Sequence, residues 1–148
     1  MIFGCVCSHF CEHASLIWVK APLLPLGYSL SMSEQPLINI KEEKIISIDK
    51  ETQFAPNGIV SRTVLNGPTT RVVLFGFSEG QELTEHTSTQ HAVIQILSGE
   101  CEFSVSGKAH TLKSGDLLYM PPNAPHAVKA TKQFSMLLTL SKPAVQQR

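Results

Sequence analysis

Two histidines, His86 and His126, carry the chemistry that this sequence could do. The first lies in Gly80-Gln-Glu-Leu-Thr-Glu-His86-Thr-Ser88-Thr-Gln-His91-Ala92-Val-Ile-Gln-Ile-Leu-Ser-Gly99 and the second in Gly115-Asp-Leu-Leu-Tyr-Met-Pro121-Pro-Asn123-Ala-Pro125-His126-Ala-Val-Lys-Ala130. An imidazole near neutral pH either ligates a metal ion or sits as a hydrogen-bonded pocket group. First-row divalent ions in proteins usually keep at least three protein ligands, so two histidines need a third. His91 leads the candidates, being in the same segment. Strand parity opposes it: with Ala92, Ile94 and Ile96 facing in, His91 faces out unless a bulge or loop re-aims it. Glu82 shares parity with His86 and could supply a carboxylate, whereas Glu85 has the wrong parity. If His86 and His126 ligate rather than hydrogen-bond in a pocket, the metal set is His86, His126 and His91, and these donors do not distinguish Zn, Fe, Mn or Ni. His110 is read as a partly exposed strand residue.

Other chemistries find little support. There is no Gly-rich phosphate loop, no Gly-x-Ser-x-Gly elbow and no spaced Cys-x-x-Cys pair. Cys101 lies in a strand pattern and reads as a buried thiol rather than a nucleophile. Tyr119 and Leu117 share one parity and Met120 and Leu118 the other, so either pair could line a pocket. Residues 1–31 hold the other three cysteines, in Cys5-x-Cys7-x-His9-x-Cys11-x-His13, and the only tryptophan, Trp18. This spacing is tighter than that of the usual zinc-site pairs. The segment lacks the basic region followed by an unbroken apolar core that a secretory signal needs. It is read as an extension outside the fold, with Met32 as the working start.

The elements that must position these residues are strands. A chain of 148 residues accommodates one domain with a substantial core, here taken as 32–148. Gly58 to Leu65 alternates and stops at the turn signal Asn66-Gly67-Pro68, and Thr69 to Phe77 is rich in Val, Leu and Phe. Further breaks fall at Ser78-Glu-Gly80, Ser98-Gly99-Glu100, Ser106-Gly107-Lys108, Ser114-Gly115-Asp116 and Pro121-Pro-Asn123. Short strands between such breaks, with no long helical pattern, describe an all-β sandwich or barrel with little helix. In the last strand Phe134, Met136, Leu138 and Leu140 share the core face. His126, Val128 and Ala130 share a face opposite Lys129, so His126 points inward.

Composition limits the partners. Hydrophobic residues make up 43% and charged residues 16%, and the formal net charge is zero. Nothing here favours nucleic acid or an anionic membrane surface, and no apolar run reaches the about eighteen residues of a membrane helix. A soluble, cytoplasmic protein is expected.

The two segments together resemble the two-part motif of a small single-domain cupin, over about residues 72–140. Gly80, His86 and Gly99 fit the frame of the first part, and Gly115, Pro121 and His126 that of the second. The resemblance implies a double-stranded β-helix, or jelly-roll barrel. It also implies four metal-ligand positions, of which two are kept: Ser88 and Ala92 stand where the family has His and Glu. Asn123 replaces the glycine after the proline, and Ala130 replaces a terminal Asn. Three functions follow from it. One is a metal-dependent dioxygenase, isomerase or lyase acting on a small organic acid or sugar. Another is a non-catalytic binding or sensor module for a small molecule. The last is a structural role as a homodimer, with Leu137, Val93 and Leu97 contributing to the contact.

Overall fold

The computed structural model describes residues 35–143. The expectations for residues 1–31, including the Cys5–His13 run, lie outside the described residues. Those described form nine strands and one short helix, α1 (Ile48–Glu51), ahead of them. The strands are β1 (Ile59–Asn66), β2 (Thr70–Phe77), β3 (Glu82–His86), β4 (His91–Ser98), β5 (Glu100–Val105), β6 (Lys108–Lys113), β7 (Leu117–Met120), β8 (His126–Lys129) and β9 (Phe134–Ser141). All of the strand pairings are antiparallel. They build a five-stranded sheet in the order β1-β2-β9-β4-β7 and a four-stranded sheet in the order β3-β8-β5-β6. This is the double-stranded β-helix expected.

The core lies between the two sheets. Alternation works as read in β5, where Cys101 and Phe103 are buried and Glu102 is exposed, and at the end of β8, where Val128 and Ala130 are buried around an exposed Lys129. The β5–β6 hairpin turns through Ser106 (φ 49°) and Gly107 (φ 77°), with Val105 paired to Lys108. Two left-handed residues in a two-residue loop match the right-handed twist of the flanking strands.

The larger sheet is also covered on its outer side near β2. A Cβ at Gly76 would lie 2.1 Å from the carbonyl oxygen of Gln53, so the chain after α1 crosses the strand at a residue that has no side chain. Arg62 fastens this crossing, its Nη1 donating to the Glu51 carbonyl (3.0 Å) and pairing with the Glu51 carboxylate (2.6 Å). Consequently Leu74, which points away from the inter-sheet space, is nearly as buried as Phe77.

Candidate functional site

His86 ends β3 and His126 begins β8, and the two are cross-strand partners. The register shifts between Leu83 and His86, which marks a β-bulge. A bulge reverses parity beyond it. Leu83 and His86 therefore both face the inter-sheet space, although three positions apart. The imidazole centroids stand 4.2 Å apart with the rings tilted by 54°.

Each ring is held in the same way. His86 Nδ1 lies 2.8 Å from the Thr84 carbonyl oxygen, and His126 Nδ1 lies 2.9 Å from that of Ala124. A carbonyl only accepts, so Nδ1–H is the donor in each ring, and Nε2 is the nitrogen that carries the lone pair of the neutral imidazole. Burial, foremost, pushes His126 below the usual histidine value; the hydrogen bond to Ala124 opposes this and the neighbouring His86 adds to it. His126 is thus a neutral imidazole at physiological pH.

The pair lines an open cavity of about 100 Å³ between the sheets. Val73, Phe75, Ile94, Phe103, Met136 and Leu138 form most of its wall. Besides the histidines, the only polar lining side chains among the described residues are Ser61, Arg71 and Ser88, and no carboxylate lines it.

The structure does not bring His91 to this pair. His91 begins β4 beside the buried, cavity-lining Ala92, on the opposite parity, and its Nδ1 is 2.8 Å from the hydroxyl of Tyr119, itself exposed. No bulge at Gln90 re-aims it. Glu82 is exposed and lines a shallow outer groove with Glu102 and Lys129, because the bulge after Leu83 puts it on the face away from His86. Glu85 and His110 are also exposed. Of the alternative pairs on β7, Met120 is buried and lines the cavity with Leu118 packed against the core, while Leu117 and Tyr119 are exposed. Cys101 is fully buried, and its thiol is pushed up to about 12, by burial first and then by the charges of Glu100 and Asp116; such a thiol is no nucleophile.

These placements decide how a metal fits. Among the described residues, no group of three or more His, Cys, Asp or Glu side chains could hold an ion. Ser88 and Ala92, both lining the cavity, stand at the other two family ligand positions; alanine offers no donor and a neutral hydroxyl is a weak one. Two imidazoles alone do not fit a resident divalent ion. Arg71, in turn, is a site residue that the sequence reading missed. The available signal was a charged side chain sharing parity with Val73 and Phe75 inside an apolar strand.

Comparison with known proteins agrees with this architecture. Residues 73–140 match the family model described as "Cupin domain". A conserved Streptococcus pyogenes protein of unknown function has 28% identity and a TM-score of 0.66, over 76% of this chain and 99% of that one. A Leptotrichia buccalis protein described as a cupin 2 conserved barrel domain protein has 32% identity and a TM-score of 0.61, over 64% of this chain and 46% of that one. A cupin superfamily protein from Desulfitobacterium hafniense, at 21% identity and a TM-score of 0.65 over 74% of this chain and 100% of its own, shares the fold. No curated protein matches the sequence. With its paired sheets, the motif frame around His86 and His126, and the match over 73–140, the chain is a small cupin-domain protein.

Proposed function

We propose that the cavity binds a small organic molecule, with His86 and His126 as its polar end, and that the protein works as a binding or sensor module. The observation that carries this reading is the matched state of the two rings: each spends its Nδ1–H on a backbone carbonyl and keeps Nε2 for a largely apolar, open cavity. A bound molecule presenting a hydroxyl or N–H to the pair would satisfy these acceptors, while its apolar part displaces water from the walls.

The test is a fragment titration of the full chain followed by the Cε1–H resonances of its histidines. The reading expects fragments that move the signals of His86 and His126 and leave those of His91 and His110 in place. A library that moves none of the four, or only His91 and His110, overturns it.

A second reading has its own support in the two Nε2 atoms: an ion held by both histidines and completed by donor atoms of a chelating ligand. Its signature would be cobalt(II) absorption that appears only when metal and a chelating dicarboxylate are added together. Pairing of two copies through the outer face of the larger sheet is proposed likewise, since Val93, Leu97 and Leu137 are only partly buried there. Sedimentation as a monomer would end that idea.

A further inference from the structure

Among the described residues, no carboxylate balances a charge that lines the cavity. Arg71, on β2, lines the cavity from the face it shares with Val73 and Phe75. Its Nε is buried without a hydrogen-bond partner, and its one hydrogen bond is a long one, Nη2 to the Thr63 hydroxyl at 3.3 Å. Among the described residues the ion pairs are Arg62–Glu51, Lys113–Glu100 and Lys132–Glu100, so Arg71 has no carboxylate within reach.

A guanidinium stays protonated in proteins, so it cannot escape this environment by losing its proton. Arg71 as a whole is half-buried, but a buried N–H without an acceptor is costly, and removing part of an unpaired charge from water adds to that cost. Nη1 makes no hydrogen bond among the described residues, and a carboxylate is the acceptor that a guanidinium N–H bonds most strongly. We infer that Arg71 is the anchor for the carboxylate of the cavity's ligand, which is a small monocarboxylic acid with an apolar body. The inference rests on the ligand-binding reading of the same cavity and names the ligand class for it.

The register places the two polar ends on opposite walls. Arg71 pairs with Leu140, Leu140 with Ala92, and Ala92 with Met120, so these residues form one row across the larger sheet. At the usual strand spacing of about 4.8 Å, Arg71 stands about 10 Å from Ala92. The histidines enter from the other sheet. A ligand spanning the cavity meets a cation on one wall, apolar side chains in the middle and imidazole acceptors on the facing wall. One guanidinium, with no lysine in the lining, suits a single negative charge better than a phosphate dianion.

The test uses the full chain, straight-chain carboxylates of four to eight carbons and benzoate as probes, and the amide of each as its uncharged counterpart. At least one acid is expected to bind on the order of tenfold more tightly than its amide, the scale of a charge-assisted hydrogen bond, and to shift the Nε–H resonance of Arg71. Arg71→Gln should bring acid and amide to equal affinity, and Arg71→Lys should keep part of the preference. Should Arg71→Gln fail to fold, the Arg71 resonance in the unaltered protein and the Arg71→Lys titration decide. Equal binding of acids and amides, or an Arg71 signal that the acids leave unmoved, overturns the assignment of Arg71 while the cavity reading stands on the histidine shifts. Failure of every acid, every amide and every fragment of the library to shift His86 and His126 overturns both.

Discussion

At His126 the fold holds an imidazole partly out of water, and stability should report it. Because burial lowers its folded-state value, the unfolded chain binds more protons than the native one just below the usual value of 6.5. The sign follows: stability rises with pH through this window, the penalty being fully present below the folded value and gone above the unfolded one. Thermal unfolding between about pH 5 and 7.5 should show the midpoint falling on acidification, and His126→Gln should flatten that slope. A slope unchanged in the variant would mean that other groups carry it. The inward aim of His126 was legible in Val128, Lys129 and Ala130, which alternate cleanly. The set around it was less so. Parity taken across β3 put Glu82 with His86, and the bulge after Leu83 reverses that. Arg71 escaped notice because β2 is apolar toward both of its sides, so alternation there marks no inner face.

Among the elements, the turns were the most readable features, since left-handed backbone demands particular residues. Gly99, between β4 and β5, has φ 76°, and a Cβ there would lie 2.1 Å from the carbonyl oxygen of Gln133. Gly99→Ala should therefore cost about 2 kcal/mol or more, combining left-handed strain with a backbone clash; denaturant unfolding measures it, and a loss below about 0.5 kcal/mol would contradict the turn geometry. Asn123 shows why a departure from the family frame leaves the fold intact. It keeps a positive φ of 64°, which asparagine tolerates better than other non-glycine residues, and its N–H donates to the Ser88 carbonyl, joining the two motif loops. Strands β1 and β2 were legible within a residue at each end, and the turns after β4, β5, β6 and β7 for the same reason, whereas the breaks between β3 and β4 and between β8 and β9 carried no such signal. The short helix Ile48–Glu51 was not legible either, since a single turn is too brief to show a helical period.

For the whole molecule, the cavity depends on a closed end that keeps the sheets apart. Phe77 and Phe134, cross-strand partners on β2 and β9, stack at 4.6 Å between centroids and are fully buried, six residues along β2 from Arg71. Phe134→Ala should destabilise the protein by about 3–5 kcal/mol through lost burial and the void left behind, seen as a lower denaturant midpoint. A shift under about 1 kcal/mol would mean that the two sheets close without this stack. At the open end, the pair of histidines is claimed as the polar end of an organic-ligand cavity and not as a resident metal centre, since the third ligand expected at His91 lies with Tyr119 on the other face of β4. The most direct measurement is the elemental content of the full chain purified without chelator or immobilised nickel, beside His86→Ala so that metal held elsewhere in the chain is subtracted. This account predicts no difference between the two proteins in zinc, iron, manganese or nickel. One equivalent of ion per chain that disappears with His86→Ala would contradict it.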